Sequence, residues 1–71
     1  MPFDFHGFQI DPTPRRADGE YMAHARITRR HPDGRESEVH MSGDLAAFDL
    51  REDAIAFARQ WAVAWVEARY Q

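Results

Sequence analysis

The C-terminal part of the chain has the strongest hydrophobic pattern, and it predicts one long helix. From Leu50 to about Arg69 there is no glycine or proline, and apolar residues recur with the 3.6-residue period of an amphipathic helix. Asp49 stands at the expected N-cap, with Glu52 at the spacing of a capping box. One broad apolar face is formed by Leu50, Ala54, Ile55, Ala58, Trp61, Ala62, Trp65 and Val66. We expect its small alanines to let the helix lie close to a sheet.

Further apolar residues lie outside this face. Phe57, Val63 and Ala64 fall on the outer side or at the edge of the predicted helix, which is more apolar surface than one sheet face needs. A chain this small gains stability by covering such surface with a second copy. We therefore assign these three residues as a candidate interface. The N-terminal Phe3 and Phe5 could join it, or they could fold over the open end of the core.

The middle of the chain alternates with period two and predicts a β-hairpin. One strand runs from Tyr21 to Arg30 and the next from Arg35 to Ser42. The segment Pro32-Asp33-Gly34 suits a three-residue loop closed by a left-handed glycine. That loop pairs His31 with Arg35 and sets the register of the hairpin. The predicted cross-strand pairs are Arg30 with Glu36, Thr28 with Glu38, Ile27 with Val39, Arg26 with His40, and Ala25 with Met41.

An earlier strand-like segment completes the predicted sheet. Phe3 and Phe5 alternate with polar residues, and Phe8 and Ile10 alternate in the opposite phase. The change of phase at His6-Gly7 indicates a bulge or a short turn. Pro12 and Pro14 place this segment at a sheet edge, and we expect Phe8 opposite Ile27 and Ile10 opposite Ala25. The predicted fold is a single α+β domain over residues 1–71: a three-stranded antiparallel meander packed on one face by a single C-terminal helix, in the order β-β-β-α.

Composition and charge exclude or disfavour several classes of function. The chain has 71 residues, no cysteine and a net charge of −3, so thiolate metal sites are excluded and nucleic-acid binding is disfavoured. The N-terminus resembles no signal peptide and no segment is long enough to span a membrane, so we expect a cytoplasmic protein without a membrane partner. No catalytic motif or cofactor-binding motif is present, which predicts a non-enzymatic protein with no cofactor.

The open sheet face is the candidate binding surface. In the predicted register it displays His24, Arg26, Arg30 and His40, and arginines on such a face can hold phosphates or carboxylates. The alternative is that Glu36 and Glu38 pair with these arginines as ordinary cross-strand charges. Two histidines fall short of the roughly four ligands of a structural zinc site, so no metal is predicted.

Six segments together resemble a family of short uncharacterised bacterial proteins. They are Phe5 to Ile10, Asp18-Gly19, Tyr21 to Ile27, Pro32 to Arg35, Ser42 to Phe48, and Glu52 to Trp65. The resemblance covers nearly the whole chain. It implies a β-β-β-α fold and assigns no activity and no catalytic residue.

A second resemblance is topological. Tyr21 to Ala58, with the Asp33-Gly34 turn and the run Phe48 to Ala54, is similar to the N-terminal arm-binding domain of tyrosine recombinases. That likeness implies a DNA-facing sheet. Our leading hypothesis is a small binding or protein-interaction module, acting by self-association or with an unknown protein partner. The alternative is a nucleic-acid-binding domain that uses the open sheet face.

Overall fold

A computed structural model of the chain describes residues 1–70. Within them, seven strands precede one helix: β1 (Phe3–Phe5), β2 (Phe8–Asp11), β3 (Arg15–Ala17), β4 (Glu20–Ala23), β5 (Arg26–Arg30), β6 (Glu36–Met41), β7 (Ala46–Phe48) and α1 (Arg51–Arg69). The fold is α+β with antiparallel strands and one C-terminal helix, as predicted. The expected three-stranded meander is wrong, because the strands form two sheets.

The two sheets arise because the first two predicted strands are each broken and because the predicted connection after Ser42 contains a further strand, β7. Sheet A has the strand order β1-β2-β5-β6, and sheet B has the order β3-β4-β7. Pro12 and Pro14 lie between β2 and β3, where their missing N–H groups end the ladder. His24 and Ala25 separate β4 from β5, and residues 42–45, with Gly43 at φ 70°, separate β6 from β7.

Two-residue turns set the register of the N-terminal strands. Asp18 and Gly19 both have positive φ, 52° and 77°, which is the geometry of a type I′ hairpin turn. The resulting register places Ile10 opposite Ile27 and Phe8 opposite Arg29, two residues from the predicted pairing. A shift of two leaves each side chain on its predicted face. His6 and Gly7 form a second such turn, so β1 is an added edge strand paired with β2.

The hairpin between β5 and β6 has the predicted loop. The amide of Gly34 donates to the carbonyl of His31 at 2.9 Å, and the amide of His31 donates to the carbonyl of Arg35 at 2.8 Å. Arg30 lies opposite Glu36 and Thr28 opposite Glu38, as predicted.

Further along the same hairpin the predicted register is wrong. A β-bulge at Val39 shifts the pairing by one residue, so Ile27 lies opposite His40 and Arg26 opposite Met41. A bulge sets two residues of one strand against one of its partner. Every side chain of β6 beyond Val39 is displaced from its predicted partner as a result.

The core lies between the sheets and α1. Its buried apolar residues are Phe8, Ile10, Ala23, Ala25, Ile27, Ala54, Ala58, Ala62 and Val66. The helix runs closest to β4 and β7, and its alanine stripe makes that approach possible. No helix within residues 1–70 combines the length and the apolar content needed to cross a membrane.

The helix begins one residue later than the predicted capping box requires. Leu50 is the N-cap, with φ −108° and ψ 136°, and no side chain caps the first turn. Asp49 is therefore outside the cap position, and the predicted capping box is wrong. Glu52 and Asp53 lie in the first turn, where their negative charges interact favourably with the positive end of the helix dipole.

Candidate functional site

Two of the predicted binding residues, Arg26 and Arg30, lie on the open face of sheet A, away from α1. Arg26 Nε is 3.4 Å from Glu38 Oε1, and Arg30 Nη2 is 3.4 Å from Glu36 Oε2. The arginine side chains remain 48% and 67% exposed, and ion pairs this exposed contribute at most about 1 kcal/mol. Each guanidinium is nevertheless balanced by a carboxylate, which weakens its attraction for a phosphate.

His40 is not on the open face. The bulge at Val39 turns it toward the helix, where its ring stacks on Trp65 with centroids 4.5 Å apart and an interplanar angle of 11°. It also lies 5.9 Å from the ring of Trp61. His40 therefore belongs to an aromatic cluster at the edge of the core and is separated from Arg26 and Arg30.

His24 lies at the break between the two sheets. It is half-buried, and its Nδ1 is enclosed with no hydrogen-bond partner among residues 1–70. The hydrogen bond from the Arg15 guanidinium is the main cause that lowers the pKa of Asp44, and nearby His24 adds a smaller contribution. His24 also lies near Asp11. His24 thus joins a charged cluster at the break, apart from the paired arginines.

A polar recess of about 220 Å³ occupies the open face of sheet A. Its lining consists of Pro2, Gln9, Asp11, Arg26, Thr28 and Glu36. Of these, the sequence assigned only Arg26 as a binding residue, and it placed Glu36 on the same face as a partner for the arginines. The alternation in β2 could have identified Gln9 and Asp11, because they flank the inward Ile10 and must point to the opposite face.

Asp11 is the most constrained carboxylate of the recess. Its Oδ1 accepts hydrogen bonds from the Thr13 amide at 3.0 Å and from the Thr13 hydroxyl at 2.6 Å. Partial burial by itself raises the pKa of Asp11, but these two hydrogen bonds and the nearby charge of His24 outweigh it and hold the pKa below its usual value. Asp11 is therefore ionised at neutral pH.

The candidate interface residues lie along the outer side of α1. Phe57 is 40% exposed and touches Phe48 with ring centroids 5.5 Å apart. Val63 is half-buried and Ala64 is exposed. Two adjoining grooves of about 340 Å³ each follow this side of the helix and share Arg59 and Gln60. The structure therefore places the three predicted residues on or beside the outer side of α1, with Phe57 against β7 and Val63 near β1.

Phe3 forms one wall of the second groove. Its ring lies 4.6 Å from the guanidinium carbon of Arg59, a cation–π distance. The groove is completed by Gln60, Val63, Ala64 and Glu67. The N-terminal strand thus contributes to the same surface as the helix.

Within residues 1–70, no three histidine or acidic side chains are grouped closely enough to hold a metal ion. Comparison with known proteins found no family model, no curated protein and no solved structure that matches the chain.

Proposed function

We propose that the protein is a non-enzymatic interaction module that associates with a second copy of itself through the outer side of α1. The observation that carries this proposal is that apolar side chains lie exposed on this side of the helix. Phe57 is 40% exposed, Ala64 is exposed, and the half-buried Val63 lines a groove with Phe3. Helices of single-domain proteins usually present mainly charged residues on the side away from their core. Apolar residues among them are expected where another helix packs.

The pattern of this side is compatible with a symmetric pair. In an antiparallel pair of helices related by a two-fold axis at Gln60, Ala56 of one copy lies level with Ala64 of the other, and Phe57 lies level with Val63. Phe57 and Val63 are about 120° apart around the helix axis, so they lie on opposite flanks of the contact. The small alanines nearer its centre allow a close approach of the helix axes.

The ends of the helix oppose a tight contact in this arrangement. Asp53 lies level with Glu67 of the other copy, so like charges come near each other at both ends of the pair. Arg69 cannot offset them, because it lies on the other side of the helix, over the ring of Trp65. The repulsion between these carboxylates weakens the association.

The size of the surface predicts weak association. The helix has 19 residues and is about 28 Å long, so a contact about 10 Å wide covers roughly 300 Å² on each copy. Stable complexes cover about 800 Å² on each partner. We therefore expect a monomer at low concentration and a dimer only toward the millimolar range.

Sedimentation equilibrium over a wide range of protein concentrations tests this proposal. The apparent mass of the native chain should rise toward twice the chain mass, and Val63→Glu or Ala64→Glu should abolish the rise. Ala47→Glu is the matched control, because Ala47 is exposed on β7 and faces away from the helix. A native chain that stays monomeric at about 1 mM, or equal effects of all three variants, would contradict the proposal.

Nucleic-acid binding by the open sheet face has less support. Its two arginines already pair with glutamates, and His40 points away from that face. If this alternative were correct, duplex DNA or RNA would shift the amide resonances of Arg26 and Arg30, and the affinity would fall steeply with added salt.

A further inference from the structure

Two opposite charges on the open face of sheet A are neighbours in register but do not pair with each other. Asp11 of β2 lies directly opposite Arg26 of β5, a position where opposite charges normally meet. Instead, Asp11 accepts both hydrogen bonds of Thr13, and Arg26 Nε turns to Glu38. Among residues 1–70 no ion pair joins Asp11 to Arg26. The two charges are held apart and line the same recess.

The floor of the recess is a second cross-strand pair, Gln9 and Thr28. Thr28 is 6% exposed, and its hydroxyl lies 3.5 Å from the backbone carbonyl of Gln9, to which it donates. The Thr28 oxygen can still accept a hydrogen bond, and the side-chain amide of Gln9 can donate and accept. The floor therefore offers neutral polar groups beside an anion and a cation that lie across the strands from each other.

The remaining walls limit what can enter. Pro2 lies on one side, and Glu36, which pairs with Arg30, lies at the far end. The volume of about 220 Å³ is below the usual range for drug-sized ligands. Two carboxylates against one guanidinium disfavour a multiply charged anion such as phosphate.

From this geometry we propose that the recess binds a small zwitterion that carries an ammonium and a carboxylate, as a free α-amino acid does. The ammonium donates to Asp11, and the carboxylate accepts from the terminal nitrogens of Arg26. Gln9 and Thr28, the neighbouring pair on that face, contact the remaining atoms of the ligand. A ligand with only one of the two charges would leave either Asp11 or Arg26 without a partner in the recess. The site is separate from the helix surface, so it does not depend on self-association.

Titration of the ¹⁵N-labelled chain with L-alanine, followed by amide shifts, tests the proposal. Shifts should cluster at Gln9, Asp11, Arg26 and Thr28. Acetate and methylammonium, which each carry one of the two charges, should bind at least about tenfold more weakly, because each forgoes a charge-assisted hydrogen bond. This comparison uses the native chain and needs no variant to fold.

Three variants sharpen the test. Asp11→Asn keeps an oxygen that can accept from Thr13 but removes the charge, and Arg26→Gln removes the guanidinium. Each should weaken alanine binding by about tenfold or more. Arg29→Gln is the control on the same strand, because Arg29 lies on the opposite face over the ring of Phe8, and it should bind alanine like the native chain.

Several outcomes would overturn the proposal. Acetate binding as tightly as alanine would show a simple anion site at Arg26. Methylammonium binding as tightly would show a simple cation site at Asp11. Shifts that fall outside the recess, or no shifts with any zwitterion up to the solubility of the ligand, would show that the recess is not a binding site.

Discussion

The two faces of sheet A are built from the same strands, but different interactions stabilise them. On the face covered by α1, Phe8, Ile10 and Ile27 are 3%, 0% and 0% exposed, and burial of such side chains contributes about 1.5–3 kcal/mol each. On the open face, exposed arginines pair with glutamates at 3.4 Å, and such pairs contribute about 0–1 kcal/mol. Most of the folding free energy contributed by sheet A therefore comes from the covered face, and substitutions on the open face should change stability less.

The largest expected effect comes from enlarging a small residue on the covered side. Ala58 of α1 is 0% exposed against the sheet, and Ala58→Leu should destabilise the fold by about 1–3 kcal/mol because the helix must move away. Ala56 is exposed on the same helix, and Ala56→Leu should change stability by less than about 0.5 kcal/mol. Urea unfolding of both variants measures the difference. Equal effects would show that the helix does not rest on its alanine stripe.

The sequence predicted the covered face well because burial imposes a periodic pattern. The alanine stripe of α1 and the inward Ile10 and Ile27 follow from spacing alone, and an error of two residues in register leaves them on the same face. The loop at Gly34 was also predictable, because its left-handed conformation needs glycine. Breaks and bulges leave a weaker signal. Pro12 could have marked the break between the sheets, but no residue type marks the bulge at Val39.

An intermediate effect is expected from the residue that the bulge moved to the covered side. His40→Ala removes the stacking on Trp65 at 4.5 Å and should cost about 1 kcal/mol in the free energy of unfolding. Glu38→Ala is the matched change on the same strand. Glu38 is 54% exposed and pairs with Arg26, so its loss should cost less than about 0.5 kcal/mol. A Glu38 variant as unstable as the His40 variant would contradict the contrast between the two faces.

The candidate sites were predictable to different degrees. Phe57, Val63 and Ala64 could be placed on the outer side of α1 because a helix keeps a fixed angle per residue. The recess could not be assembled from sequence, since it depends on Asp11 bonding Thr13 and Arg26 turning to Glu38. Local geometry decides which of two nearby partners a side chain bonds to, and it leaves no periodic pattern in the sequence.

The smallest expected effect is a dependence of stability on acid pH. We expect it for the ionised carboxylates and not for the packing of the covered face. The pKa of Asp11 is lowered from its model-compound value of 3.8 in the folded chain. The contribution of Asp11 to stability is therefore present above that value and is lost as the pH falls through the lower folded pKa. Urea midpoints of the native chain should decrease below about pH 4, and Asp11→Asn should make that decrease shallower while lowering stability slightly at neutral pH. Asp44, whose pKa is lowered by Arg15, contributes in the same direction, so Asp44→Asn should act likewise and the double variant more strongly.

The loss of stability caused by Ala58→Leu comes from packing, so it should be the same at neutral pH and below about pH 4. A packing penalty that changed with pH as much as the Asp11 effect would mean that the two faces do not contribute to stability independently.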